Sequence, residues 1–203
     1  MTIKPRVSPS LAKLPELETE RLSLRQWSLG DLDAILAMDR DPEVYRFLEE
    51  PGTPAKQRAE TRERILTLFP AGLGVWSIFR RVAPQEFLGY ALMIPIGDEG
   101  PEAELGFRLV RAAWGDGIAS EAAARLIRHG FETLGLPEIV AVTDPDNKAS
   151  ERTLRRLGFK REGWRRAWGY DNHFFRLTRK KLVVIPEAAA GGYPGSITTT
   201  ISN

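Results

Sequence analysis

The stretch LVRAAWGDGIASEAAARLI (109–127) carries a predicted strand into a glycine-bearing turn and straight on into a helix. Gly115 and Gly117 let the backbone turn tightly and approach a ligand with no Cβ in the way. The first amides of the helix have no partner within it and sit at the positive end of its dipole, a place that holds a phosphate or pyrophosphate without a lysine. The same two glycines would equally suit a plain connection. G-x-x-x-x-G-K-[ST] does not occur, and Ser120 stands where the dinucleotide fingerprint needs its third glycine, so neither a Walker loop nor an NAD-type turn is present.

Upstream, RLSLRQW (21–27) alternates Leu22 and Leu24 with polar residues, as a half-buried strand does. Asp31 opens a helix with Leu32, Ile35 and Leu36 at helical spacing and Ser28 as its N-cap. Asp41-Pro42 starts a short second helix with Val44, Tyr45 and Leu48, and Pro54 a charged third one that Pro70 stops. VWSIFRR (75–81), FLGYALMIPI (87–96) and AELGFRLV (103–110) read as antiparallel strands. The helix after the glycine turn is expected to run to Leu134, with Glu121, Arg125, Arg128, His129 and Glu132 on its wet side and Glu121–Arg125 and Arg128–Glu132 as ion pairs. EIVAVT (138–143) is a short strand covered on both faces.

DPDNKASERTLRRLGFKREG (144–163) begins a further helix at Asn147 and ends it at Gly158. Taken alone, Asn147 is an N-cap, Gly158 a C-cap and Phe159 a core anchor. Two last strands, near 159–168 and 173–181, meet at a turn around Gly169-Tyr170-Asp171. The expected fold is α/β (α+β), a mixed and mostly antiparallel sheet of about seven strands with helices on both faces and one parallel crossover. Residues 1–15 read as a flexible N-terminal arm, 16–184 as the domain and 185–203 as a disordered C-terminal tail.

The two segments together, WGDGIASEA and, about 30 residues on, DPDNKASERTLRRLGF, resemble the GCN5-related N-acetyltransferase (GNAT) superfamily, and within it the RimJ/RimL type that acetylates ribosomal-protein N-termini. The resemblance covers residues 16–184. It implies that the fourth and fifth strands splay apart and that acetyl-CoA is the co-substrate. The family's loop pattern Q/R-x-x-G-x-G/A falls on Trp114, Gly117 and Ala119, with tryptophan in place of the leading Gln/Arg. The resemblance then implies that Gly115, Asp116, Gly117, Ile118, Ala119 and Ser120 hold the pyrophosphate. Leu109 and Val110 lead into that loop, and the pantetheine arm lies between the splayed strands. Asn147 would touch the arm and Ser150 sit near the sulfur. Arg152, Arg155 and Arg156 would reach the 3′-phosphate, or simply form a solvated helix face.

Acetyl transfer to an amine needs a base, donors to the oxyanion and an acid for the leaving thiolate. Glu104 is the candidate base, pointing opposite to Leu105, Phe107 and Leu109, with an ordinary exposed strand glutamate as the other reading. Ser150 and Tyr170 are candidate acids, Tyr170 in a turn where an exposed structural role is the alternative. His129 and His173 lack metal-ligand spacing, so no metal is assigned. The chain has no cysteine and no G-x-S-x-G elbow, which leaves direct transfer in a ternary complex.

The net charge of +2, from 29 basic and 27 acidic residues, gives no general case for nucleic acid. The basic run Arg152–Arg166 with Trp164 and Trp168 is weighed as a local exception, without any recognisable nucleic-acid module. No apolar run is long enough for a membrane span, and a cytoplasmic monomer or homodimer is expected. The acceptor is a peptide N-terminus, including that of a ribosomal protein, or a small amine such as an aminoglycoside, polyamine or amino acid. A non-catalytic acyl-CoA sensor is the reading from another class.

Overall fold

The computed structural model describes residues 13–47, 52–70, 72–98 and 100–179. Most of the proposed arm, the tail, Leu48 and the end of the last predicted strand lie outside these residues. Eight strands form one sheet in the order β1-β2-β3-β4-β5-β6-β8-β7. They are β1 (Leu17–Glu18), β2 (Leu22–Gln26), β3 (Gly74–Arg80), β4 (Ala83–Pro95), β5 (Ala103–Leu109), β6 (Glu138–Thr143), β7 (Lys160–Ala167) and β8 (Tyr170–Thr178). The eighth strand, beyond the expected seven, is the two-residue β1. It pairs through Leu17 and Glu18 with Leu24 and Ser23 and is too short to carry a periodic signal. Every neighbouring pair is antiparallel except β5 and β6.

Helices cover both faces. On one lie α4 (Ile118–Arg128) and α5 (Lys148–Arg156), packing Ile118, Leu126, Ile127 and Leu154 against Trp76, Leu105, Phe175 and Leu177. On the other lie α1 (Leu32–Met38), α2 (Pro42–Tyr45) and α3 (Pro54–Leu66), packing Leu32, Ile35, Leu36, Val44 and Ile65 against Val75, Tyr90 and Ile94. Ahead of α1 the buried Asp31 carboxylate accepts from both terminal nitrogens of Arg25 (2.6 and 3.0 Å), from the Ser77 hydroxyl (3.1 Å) and from the Ser28 amide (2.9 Å). That set fixes the angle at which the first helix leaves the sheet.

The helix after the glycine turn departs from its sequence pattern in two ways. Glu121, placed on the wet side by periodicity, is 6% exposed. Its carboxylate accepts from Thr19 Oγ1 (2.5 Å), from the Arg21 amide (3.1 Å) and from Arg21 Nε (2.6 Å), and so bolts the first turn of α4 to the head of β2. The partners lie some hundred residues away in sequence, where helical spacing cannot reveal them. Arg125 correspondingly donates to the Glu18 carbonyl (3.2 Å) instead of pairing with Glu121. The second departure follows Arg128, where the helix widens to i→i+5 bonding over His129–Thr133. This breaks the expected Arg128–Glu132 spacing. His129, three residues after Leu126 and seven after Ala122, falls on the apolar side by ordinary helical spacing and not on the wet side. It is 2% exposed, bonds the Gly72 carbonyl (3.2 Å) and packs edge-on to Trp76.

Burial holds the His129 pKa below its ordinary value, against a smaller opposing effect of the Gly72 bond. The unfolded chain therefore takes up a proton at a pH where the folded chain does not. Stability is fully present above about pH 6.5 and declines as pH falls below it. Urea midpoints measured from pH 7.5 to 5.5 should fall for the wild type and fall less steeply for His129→Gln. Parallel slopes would remove His129 as the source.

Candidate functional site

β4 and β5 share seven register pairs, from Gly89–Leu109 to Pro95–Ala103, whereas β5 and β6 share one, Glu104–Val140. The two parallel strands touch near their starts and separate toward Leu109 and Thr143. Ion pairs gather at the closed end. Arg165 holds Glu102, just ahead of β5, with two bonds of 2.8 and 3.1 Å, and Arg176 lies between Glu102 (3.8 Å) and Glu138, the first residue of β6. Arg165 accordingly holds the Glu102 carboxyl below the usual carboxylate range. Past Glu104, β5 and β6 share no further register pair, and their facing edges are unpaired there.

The glycine turn stands at the open end. Gly115 and Gly117 have φ of 86° and 76°, in the left-handed region where a side chain is strained. A Cβ at Gly115 would meet no atom within 4 Å, and one at Gly117 only Arg21 Nη2 at 3.6 Å. The glycines are thus required by backbone conformation and leave the outer side of the turn open. The first α4 amide with an acceptor is that of Glu121, which donates to the Gly117 carbonyl (3.0 Å). Among the described residues, the amides from Gly115 to Ser120 meet no protein acceptor. From behind, Arg21 Nη2 donates to the Asp116 carbonyl (3.0 Å), so the Glu121–Arg21 pair supports the turn as well as the helix. Arg21 and Glu121 were not among the predicted site residues, because this support spans about a hundred positions.

The remaining loop residues divide by exposure. Ile118 and Leu109 are buried in the core, Ser120 is nearly so, and Val110 and Ala119 are half-buried. Trp114 is 46% exposed and donates through Nε1 to the Leu109 carbonyl (3.1 Å), which closes the turn where the family pattern has Gln or Arg. Asp116 is exposed, its carboxylate 3.8 Å from Arg80.

α5 starts beside the end of β6. The Asn147 side-chain oxygen accepts from the Ser150 amide (3.0 Å), as an N-cap does. That leaves the Asn147 side-chain NH₂ without a protein acceptor among the described residues. Ser150 is half-buried in the first turn. Arg152 is exposed, while Arg155 is held by Glu151 (2.8 and 3.1 Å) and lies over Phe175. Arg155 lines a concavity of about 480 Å³ with Lys160 and Arg161 at the far end of α5. The described contacts do not bring it to the glycine turn.

Glu104 occupies the register position where β5 and β6 last touch. It is 6% exposed, and the indole N–H of Trp168 donates to its Oε2 (2.8 Å). The alternative of an exposed strand glutamate is therefore excluded. Trp168 and Gly169 have consecutive positive φ values, 56° and 84°, and form the tight turn between β7 and β8. A tryptophan in this conformation is strained, and such strain persists where surrounding contacts impose it. Tyr170 opens β8 rather than sitting in the turn, pairs with Ala167 and is 49% exposed. Periodicity cannot show that this hairpin tip reaches the start of β5.

Among the described residues, no group of three or more His, Asp or Glu side chains is placed to hold a metal ion, and no helix is long and apolar enough to cross a membrane.

A sheet split between two parallel strands, with an open amide turn at the mouth of the split, defines an acyl-CoA-dependent N-acetyltransferase fold. Residues 21–160 match the family model of the acetyltransferase (GNAT) domain, and the chain belongs to that family and is an acyltransferase. It is 34% identical over 160 residues to the uncharacterised N-acetyltransferase YoaA of Bacillus subtilis, which spans 78% of this chain and 90% of that relative. Its fold is that of solved acetyltransferases, two of which are named for their acceptors. A RimL ribosomal L7/L12 alpha-N-protein acetyltransferase in complex with coenzyme A has a TM-score of 0.63 at 20% identity, covering 82% of this chain and 98% of that one. The spermidine N-acetyltransferase of Vibrio cholerae, in complex with coenzyme A and spermine, has a TM-score of 0.65 at 19% identity, covering 80% and 98%.

Proposed function

We propose that this N-acetyltransferase moves acetyl from acetyl-CoA to the N-terminal amine of a peptide or protein, by direct attack in a ternary complex. The observation that carries the reading is the single β5–β6 register pair beneath the unclaimed amides of Gly115 to Ser120. Coenzyme A fits this arrangement: a diphosphate suits donors at a helix start, and an arm bearing amides suits two unpaired strand edges. In this reading Asn147 offers its NH₂ to the arm. The fold likeness to RimL, an alpha-N-protein acetyltransferase of ribosomal L7/L12, agrees with the choice of acceptor.

The chemistry balances with two side chains. The acceptor ammonium first gives a proton to Glu104, directly or through water, and the freed amine attacks the thioester carbonyl carbon. The carbon–sulfur bond then breaks, and the departing sulfur takes a proton from Ser150 Oγ, with Tyr170 as the other candidate donor. The second proton, shed by the new amide nitrogen, returns through water to the donor oxygen. Glu104 is suited to the first task because it lies where the gap closes, so an arm entering from the glycine turn ends near it. A peptide N-terminal ammonium has a pKa of about 7.7–8.0 and is mostly protonated at neutral pH, so a base is needed.

Incubation with acetyl-CoA and N-terminally free peptides should release thiol and give a mass increase at the peptide N-terminus. Coenzyme A binding without turnover on any amine would leave a sensor in place of an enzyme for this acceptor class. Ser150→Ala keeps the backbone amide that Asn147 caps, so the helix start should survive. Its kcat is expected to fall about tenfold or more while KM for acetyl-CoA changes little. Equal losses in both would remove Ser150 as the acid.

A further inference from the structure

We infer that the acceptor is an acidic segment, a peptide whose carboxylates follow its N-terminal amine within the first four residues. The inference rests on the peptide-acylation reading above and narrows it.

On the sheet face opposite α4, helices α1, α2 and α3 enclose a cleft of about 780 Å³ whose lining includes Asp39, Arg40, Tyr45, Arg46, Gln57 and Arg58. Asp39 and Tyr45 join it to the sheet through Arg108 of β5. Arg108 Nη1 donates to Asp39 Oδ1 (2.9 Å), and the guanidinium lies 5.9 Å from the Tyr45 ring centre and 5.4 Å from that of Tyr90. Arg108 and Glu104 are on the same face of β5, four residues apart, which is about 13 Å along a strand. The cleft therefore adjoins the β5 wall of the gap, one extended tetrapeptide from the proposed base.

The charges there are one-sided. Asp39 is the only carboxylate in the described lining, and Arg108 already holds it. Arg40 has no ion-pair partner among the described residues. Arg46 has Glu43 at 3.8 Å with both side chains at least half exposed, a pair worth little, and Arg58 bonds Asp33 (2.7 Å). Gln57 Nε2 is buried with no acceptor. Among the described lining residues, a polyamine entering this cleft would meet cations and no free carboxylate. A peptide would offer its carbonyls to the spare donors and its carboxylates to Arg40 and Arg46. Charge complementarity of this kind sets both encounter rate and choice of partner.

The test compares two peptides that differ only at positions 2–4, Ser-Glu-Glu-Glu against Ser-Lys-Lys-Lys, with spermidine as a third acceptor. The wild type should favour the glutamate peptide by about tenfold or more in kcat/KM, and the preference should shrink with added salt. The double variant Arg40→Glu/Arg46→Glu should lose about tenfold of that ratio while keeping the thermal shift produced by coenzyme A, which reports an intact donor site. Arg40→Gln/Arg46→Gln gives the same reading should the reversal impair folding. A lysine peptide used as well as the glutamate peptide overturns the inference but not peptide acylation. So does a preference for the lysine peptide. Turnover of spermidine with neither peptide acetylated overturns both.

Discussion

Gly117→Val is expected to abolish measurable coenzyme A binding while leaving the domain folded. At φ 76° a β-branched residue is strained, by about 1–3 kcal/mol. A domain stable by roughly 5–15 kcal/mol tolerates that, with a melting temperature lower by a few degrees. The new side chain meets little of the protein, since only Arg21 Nη2 comes within 4 Å of its Cβ. The strain is relieved where the chain is free to move, in the turn itself, and this rotates the amides from Gly115 to Ser120 away from a common focus. Each hydrogen bond from an amide to a charged diphosphate contributes about 1.5–3 kcal/mol. Losing two of them weakens binding at least about a hundredfold. Calorimetric titration should show no heat above background for the variant, and coenzyme A should no longer raise its melting temperature. Binding unchanged from wild type would reduce the turn to a connection between β5 and α4.

The loop and the α5 start were legible in the sequence because their signals are local. Gly115, Gly117, Asn147 and Gly158 each answer to a backbone requirement that acts within four or five residues, and the structure places the turn and both helix starts where those residues put them. The alternation of β5 likewise put Glu104 opposite Leu105 and Leu109, as found. What the sequence could not show depends on contacts between distant segments. Periodicity made Glu121 a wet-side residue, yet Thr19 and Arg21 bury it. His129 is a different case, since it follows Leu126 by three residues and Ala122 by seven, a spacing that belongs to the apolar face and not to the wet side. The strained Trp168 bonded to Glu104 joins residues 64 positions apart, and Arg108 with Asp39 joins residues 69 apart. Arg155, read as a 3′-phosphate contact or a solvated helix residue, is held over Phe175 by Glu151, one turn back.

Glu104→Gln is expected to lower kcat by about 10²–10³-fold at neutral pH with acetyl-CoA affinity within about twofold of wild type, the range a positioned general base supplies. The substitution is conservative for the fold. A glutamine oxygen still accepts from the Trp168 indole N–H, and the side-chain volume is nearly unchanged, so the β7–β8 turn and the start of β5 should keep their places. What is lost is the capacity to take the proton whose removal frees the acceptor nitrogen for attack. The deficit should therefore depend on pH. Near pH 7 most of a peptide N-terminal amine, with a pKa of about 7.7–8.0, is protonated and the base is needed. As pH rises past about 8 the free amine supplies itself, and the ratio of wild-type to variant kcat/KM should fall and then level off. Trp168→Phe separates position from chemistry: it removes the indole donor and leaves the carboxylate, so its rate should fall by less and its pH profile should keep the wild-type shape. A Glu104→Gln enzyme within threefold of wild type at pH 7, or one whose deficit stays constant from pH 7 to 10, would show that the proton leaves by another route. The bond between Glu104 and Trp168 would then be a fastening of the hairpin to the sheet.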